Sequence, residues 1–145
     1  MKKVVINKCF GGFNLSELGV LEYAKLSGFK LYGYVDERMV TRDFSKKEYC
    51  IRYENAPKDM LIVYWIKEDL GDRPTMDALN KAEWFHEREI ARDDAVLVKV
   101  VEKLKKKANS RFSELKIVKI PDGVEYEISE YDGFEHIAEK HRTWG

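Results

Sequence analysis

Asp132-Gly133 limits the fold of this chain more than any other feature, because it separates two segments in which apolar and polar residues alternate. Asp-Gly favours the positive φ angles of a type I′ turn, the tight turn that joins two antiparallel strands. In the first segment Val124 and Ile128 share one face, while Glu127 lies on the other. The pattern predicts a C-terminal β-hairpin formed by residues 124–131 and 134–141.

Two helices are predicted from apolar residues at helical spacing. The first spans about residues 15–27, with a capping-box-like start at Asn14 and Glu17. The second opens at Asp93-Asp94 and runs through Lys107, with lysines near its C-terminal end. The remaining apolar segments predict strands at 2–7, 29–35, 49–53, 60–67 and 115–120.

The other segments carry weaker signals. Residues 36–48 are dominated by charge and predict an exposed irregular loop, and residues 75–83 predict one or two helical turns. This order of elements predicts an α+β fold: one domain over residues 1–145, with a mixed or largely antiparallel sheet and two main helices packed on it.

Charge and composition exclude several classes of protein. The 26 basic residues are balanced by 26 acidic ones, which argues against general binding of nucleic acid. The longest apolar run is the seven residues 60–66, far short of the roughly 20 of a membrane-spanning helix. Two cysteines without metal spacing predict a reduced, cytoplasmic protein without metal or cofactor. A homo-oligomer is among the states that the sequence allows.

A pair of glycines between the first strand and the first helix forms the first candidate site. Such a junction aims free backbone amides and the positive end of a helix at one point, where phosphates and carboxylates bind. The candidate residues are Asn7, Lys8, Phe10, Gly11, Gly12 and Phe13. The alternative is a plain turn whose two phenylalanines fill the core.

Arg88 and Arg92 form the second candidate, because two guanidinium groups can hold a phosphate in a bidentate fork. Arginines beside acidic residues more often form weak surface ion pairs, so that alternative stays open.

The C-terminal segment forms the third candidate, with His141, Arg142 and Trp144 able to cover a ligand. The alternative is a terminal strand docked on the body of the protein. Strand alternation places His136 and His141 on opposite faces, which argues against a two-histidine catalytic or metal site.

Three segments together resemble a family of small uncharacterised bacteriophage and prophage proteins. They are INKCFGGFNLS at residues 6–16, RDDAVLVKVVE at 92–102 and YDGFEHIAEKHRTW at 131–144. Asn14 stands where the family has a further glycine. The resemblance implies a setting, phage infection in the bacterial host cytoplasm, and no particular reaction.

In that setting the three candidate sites predict a non-catalytic binder that sequesters a small anionic, nucleotide-like ligand and so counters host immune signalling. Two other functions stay open. One is a nucleotide-cleaving enzyme that uses His136 or His141 as a general acid or base. The other is a protein-protein inhibitor of a host factor, with the aromatic residues as its hot spot.

Overall fold

The structure, a computed structural model, describes residues 1–45, 47–58 and 62–140. In these ranges the strands are β1 (Lys2–Asn7), β2 (Tyr32–Asp36), β3 (Cys50–Arg52), β4 (Tyr64–Ile66), β5 (Trp84–Phe85), β6 (Leu115–Ile120), β7 (Tyr126–Tyr131) and β8 (Phe134–Glu139). The α-helices are α1 (Glu17–Ser27), α2 (Glu37–Thr41), α3 (Met76–Asn80) and α4 (Ala95–Leu104). All pairs between these strands are antiparallel, which confirms the α+β class with antiparallel sheets, two main helices and a C-terminal hairpin.

The tertiary contacts group the chain into two compact units. Unit 1 comprises Met1–Ser27 and Glu87–Gly145, of which residues 87–140 of the second segment are described. Unit 2 is Gly28–His86, which is inserted in the chain between the two segments of unit 1. The single domain over residues 1–145 stays a prediction.

β1 forms a two-stranded antiparallel sheet in unit 1. It pairs with β6, and Val4 and Ile6 on one face pack with Tyr126, Ile128 and Ile137 of the hairpin. Val5 alternates to the other face and is fully buried, and β1 also contacts α4. Burying a valine or isoleucine in this way stabilises the fold by about 1.5–3 kcal/mol, which explains the unbroken apolar run in β1.

The hairpin turn has the predicted geometry. Asp132 and Gly133 have φ angles of 50° and 88°, both positive as a type I′ turn requires. β7 and β8 then pair in register from Tyr131↔Phe134 to Tyr126↔Glu139.

The helix boundaries differ from the prediction in unit 1. Ser16, rather than Asn14, accepts a hydrogen bond from the amide of Gly19 in the first turn of α1. Asp94 caps α4 by accepting from the amides of Val96 and Leu97. α4 ends at Leu104 and not at Lys107, because Lys105 has a φ of 53° and starts a short 3-10 turn.

Unit 2 is built on a four-stranded sheet in the order β3-β2-β4-β5. Its core contains the fully buried residues Tyr34, Cys50, Ile66 and Leu79. The tight approach at Gly33 leaves no room for a side chain, since a Cβ there would lie 2.6 Å from the Tyr53 ring and 2.8 Å from the Trp65 ring.

The prediction of an irregular loop at residues 36–48 is wrong for the first part of this segment, which forms α2. Asp36 caps this helix by accepting from the amide of Arg38, and Arg42 ends it with a φ of 59°. Arg73 also donates to Glu37 at 2.6 Å. Caps and ion pairs therefore hold a helix that has no apolar stripe for the sequence to show. The predicted turns at 75–83 are confirmed by α3, which Thr75 caps.

Candidate functional site

The pair of glycines after β1 lies against the turn of the C-terminal hairpin. The Gly11 amide donates to the Asp132 carbonyl at 3.1 Å. Gly133 packs so closely that a Cβ there would overlap the backbone nitrogens of Gly11 and Gly12. Two turns thus meet backbone to backbone, and the hairpin occupies the space in which these amides were expected to hold a phosphate.

Asn7, at the end of β1, ties this contact to the rest of unit 1. Its side-chain Nδ2 donates to the carbonyls of Cys9 at 2.8 Å and Gly133 at 2.9 Å, and its Oδ1 accepts from the amide of Glu114 at 2.9 Å. The residue is fully buried. Asn7 therefore uses its side-chain hydrogen-bonding groups to join the glycine loop, the hairpin turn and the start of β6.

Arg92 and Phe13 belong to the same buried network. The Arg92 guanidinium donates to Glu135 at 2.6 Å and lies 3.7 Å from the centre of the Phe13 ring. Glu135 Oε1 also accepts a hydrogen bond from the backbone amide of Asn7 at 2.7 Å. Arg92 thus pairs with a buried carboxylate, and its fork with Arg88 stays a prediction. Arg88 is exposed, and its Nη2 lies 3.9 Å from where a Gly12 Cβ would be.

Three phenylalanines remain exposed around the contact of the two turns. The side chains of Phe10 and Phe134 have ring centres 5.5 Å apart, and Lys8 Nζ lies 5.1 Å from the centre of the Phe134 ring. Phe112 lies against the same loop, because a Cβ on Gly11 would lie 3.0 Å from the Phe112 carbonyl oxygen and 3.2 Å from its Cβ. We call Phe10, Phe112 and Phe134 the aromatic platform; they are 59%, 52% and 36% exposed.

A cleft of about 650 Å³ lies in the same unit, where α4 ends and the chain turns back into β6. We call it the lysine cleft. It is lined by Cys9, Lys105, Lys106, Asn109, Ser110, Ser113, Glu114 and Leu115. Cys9 joins it to the predicted glycine loop, which follows directly in the chain.

The lining of the lysine cleft carries more positive than negative charge. Within the described ranges, neither Lys105 nor Lys106 forms an ion pair, and Glu114 is the one carboxylate in the lining. Asn109 accepts from the Leu115 amide through Oδ1 at 2.8 Å, which fixes the orientation of its amide and leaves Nδ2 as a donor. Such a lining suits an anion.

The strained backbone at Lys105 lies at the edge of this cleft. Its φ of 53° and ψ of −123° fall in a region that L residues rarely adopt, at a cost on the order of 1–3 kcal/mol. The Val101 carbonyl accepts a hydrogen bond from the Lys105 amide, which holds the backbone of Lys105 in this conformation. This bend ends α4 and directs the chain along the cleft.

Sequence reasoning did not identify the lysine cleft. It assigned the Lys105-Lys106-Lys107 run to the helix C-terminus, where lysines are favourable. The available signal was the adjacent polar segment, Asn109-Ser110 and Ser113-Glu114, which follows the run before the next strand begins.

The remaining predicted residues do not contribute to this cleft in the described part of the chain. His136 is exposed on β8 and pairs in register with Ser129. His141, Arg142 and Trp144 lie outside the described residues. Among residues 1–45, 47–58 and 62–140, no three His, Cys, Asp or Glu side chains are grouped so as to hold a metal ion.

Two titratable groups of unit 2, Asp36 and Cys50, have clearly shifted pKa values. The Arg38 guanidinium, hydrogen-bonded to Asp36 at 2.9 Å, lowers the pKa of that carboxyl despite its burial. Burial raises the pKa of the Cys50 thiol to about 12. Cys50 is therefore an unreactive core thiol, whereas Cys9 in unit 1 is partly exposed.

Helices in the described ranges are all too short or too polar to cross a membrane. Comparison with protein-family models, with curated proteins and with solved structures finds no match to this chain.

Proposed function

We propose that this protein binds a small anionic, nucleotide-like ligand in the lysine cleft and holds it without converting it. The observation that carries the proposal is the lining of the cleft, in which two lysines without a carboxylate partner in the described residues lie beside the Asn109 amide. Ammonium groups and amide donors are the groups that bind phosphate oxygens.

The size of the cleft supports a ligand larger than an inorganic ion. Its volume of about 650 Å³ lies inside the range of about 300–1,000 Å³ that small-molecule sites occupy. The aromatic platform begins one residue beyond the cleft, since Cys9 lines the cleft and Phe10 follows it. A ligand with both a phosphate and a flat ring would use both surfaces.

The lining supports binding more than catalysis. Among the described residues, no histidine lines the cleft beside the Cys9 thiol, and an imidazole is the usual group that activates a thiol nucleophile. The resemblance to phage proteins suggests the role of such a binder: in the host cytoplasm it would remove a nucleotide signal of the host immune system.

Some residues of the original prediction change their role in this proposal. Lys8, Phe10, Gly11, Gly12 and Arg88 form the surface next to the cleft. The buried network of Asn7, Phe13 and Arg92 positions that surface and leaves ligand contact to the other residues.

Isothermal titration calorimetry with adenosine and guanosine 5′-mono- and diphosphates tests the binding. We expect Lys106→Gln to weaken the affinity for at least one of these nucleotides by about tenfold, or 1.4 kcal/mol. Lys99→Gln is the matched control, because Lys99 is an exposed lysine of α4 that does not line the cleft. Equal affinities in both variants, or no binding of any nucleotide by the unmodified protein, would contradict the proposal.

The same complexes test whether the ligand is converted. After incubation and heat denaturation of the protein, sequestration predicts that the released nucleotide runs unchanged on an anion-exchange column. A new nucleotide species that forms with the unmodified protein and not with Lys106→Gln would instead support the enzyme.

A further inference from the structure

We infer that the ligand of this site is a short single-stranded oligonucleotide, with a phosphate in the lysine cleft and bases stacked on the aromatic platform. The inference rests on the proposed function and extends it, because it assigns the ligand at least two bases.

The platform borders the cleft through two separate chain segments. In the first segment, Cys9 lines the cleft and Phe10 follows it directly. In the second segment, Ser110 and Ser113 line the cleft, and Phe112 lies between them in the sequence. The two segments touch at Gly11 and Phe112, where a Cβ on the glycine would lie 3.0 Å from the Phe112 carbonyl oxygen. An extended ligand that leaves the cleft would meet rings from both segments.

The platform supplies exposed rings from two chain segments. Phe10 and Phe134 are in contact, with ring centres 5.5 Å apart, and Phe112 is contributed by the other segment. All three are exposed, in contrast to Phe13, which is 4% exposed beneath Arg92. Stacking of a base on an exposed aromatic side chain contributes about 1–3 kcal/mol and tolerates any base.

The charges around the rings favour an anionic partner over an apolar protein surface. The cations of this region are Lys8, Arg88, Lys105, Lys106 and Arg111. None of the five forms an ion pair with a carboxylate in the described parts of the chain. Acidic residues also lie among them: Glu114 in the cleft, Asp132 in the turn, and Glu87 and Glu89, which flank Arg88 in the chain. Exposed rings between unpaired cations are the arrangement by which proteins bind single strands.

The balanced charge of the whole chain is compatible with this local surface. General binding of duplex nucleic acid would need a large positive excess that tracks many phosphates. A short single strand needs few phosphate contacts, because its bases are free to stack. We therefore expect single strands to bind and duplexes to bind poorly.

Fluorescence anisotropy of 5′-labelled oligothymidines, competed with unlabelled thymidine 5′-monophosphate, tests the inference. We expect the tetranucleotide to bind at least about tenfold more tightly than the mononucleotide, since one further stacked base supplies about 1–3 kcal/mol. Phe10→Ala and Phe112→Ala should each weaken tetranucleotide binding by about fivefold or more, whereas a mononucleotide, which has one base to stack, should lose affinity in at most one of the two variants.

Phe44→Ala is the matched control, because Phe44 is a 62% exposed phenylalanine of unit 2. Phe10→Tyr should restore tetranucleotide binding, since tyrosine keeps the ring, and circular dichroism checks that each variant is folded. Equal tetranucleotide affinities in the Phe10, Phe112 and Phe44 variants would overturn the inference. So would a duplex that binds as tightly as the single strand.

Failure of this inference is distinguishable from failure of the proposed function. If the tetranucleotide binds no more tightly than the mononucleotide while Lys106→Gln still weakens mononucleotide binding, the inference is overturned and the proposed function stands. If no nucleotide of any length binds, both are overturned.

Discussion

The Arg92 guanidinium donates a 2.6 Å hydrogen bond to Glu135, a carboxylate whose side chain is 5% exposed. The Arg92 backbone belongs to the segment before α4, and Glu135 belongs to β8, so this pair ties the hairpin to the helical part of unit 1. The same carboxylate accepts from the Asn7 amide at the end of β1. Three distant parts of the chain thus converge on one acidic group.

Removal of that acidic group should destabilise the protein strongly. In Glu135→Ala the Arg92 guanidinium and the backbone amide of Asn7 lose the buried carboxylate that accepts their hydrogen bonds. Breaking a buried pair in this way costs about 3–5 kcal/mol. Urea denaturation followed by circular dichroism measures the change in the free energy of unfolding. Glu139→Ala, an exposed glutamate of the same strand, should cost no more than about 0.5 kcal/mol. Similar losses in the two variants would show that Glu135 is not the centre of the network.

The contact between the two turns predicts different effects for two glycines with nearly equal φ angles. Gly133 and Gly123 have φ of 88° and 80°, so alanine strains the backbone at either position by about 1–2 kcal/mol. A Cβ at Gly133 would also overlap the backbone of Gly12, whereas one at Gly123 would meet no atom within 4 Å.

We therefore expect Gly133→Ala to destabilise unit 1 by about 1–3 kcal/mol more than Gly123→Ala does. Thermal denaturation of both variants measures the difference. Amide NMR shifts of Gly11 and Gly12 should move in the Gly133 variant and not in the Gly123 variant. Equal stabilities of the two variants would mean that the turns do not pack as described.

The elements that the sequence predicted well are those whose signals are local. β1, β6 and the hairpin turn follow from apolar runs, alternation and Asp132-Gly133. α2 was missed because its stability comes from the Asp36 cap and from ion pairs, which leave no apolar periodicity. The early end of α4 was missed because a lysine, not a glycine, takes the positive φ.

The candidate site was only partly predictable for a different reason. The glycine loop was identified correctly as a junction between a strand and the first helix, but what faces it depends on Gly133, which lies more than a hundred residues further along the chain. No local pattern encodes such a contact. The lysine cleft likewise depends on where β1, α4 and β6 end in space, and only the Lys105-Lys106 run hinted at it.

The lowered pKa of Asp36 should make the stability of unit 2 depend on pH. The hydrogen bond from Arg38 lowers the pKa of Asp36 below its usual value. Because the folded-state pKa is lowered, the ionised carboxylate stabilises the fold above the unfolded pKa of about 3.9, and that contribution is lost as the pH falls through the folded pKa.

Asp36→Asn should therefore be less stable than the unmodified protein at pH 7, and the difference should shrink as the pH is lowered from 5 to 2. Urea denaturation across this range, followed by tryptophan fluorescence, measures it. Asp77→Asn is the control, since its pair with Lys81 is exposed and contributes little at any pH. A difference for Asp36→Asn that stays constant with pH would contradict the role of the charge.

The two cysteines give a direct readout of the lysine cleft. Cys9 lines it and is partly exposed, whereas Cys50 is fully buried with a pKa raised to about 12. Iodoacetamide at pH 8 should therefore alkylate Cys9 and leave Cys50 unmodified until urea unfolds the protein, as mass spectrometry of the peptides would show. A nucleotide bound in the cleft should slow alkylation of Cys9 by about tenfold at ten times its Kd, because only the free protein reacts. Alkylation of Cys50 in urea, where no ligand is bound, is the internal control for the reagent. If calorimetry shows a bound nucleotide and the Cys9 rate is unchanged, the ligand lies outside the lysine cleft.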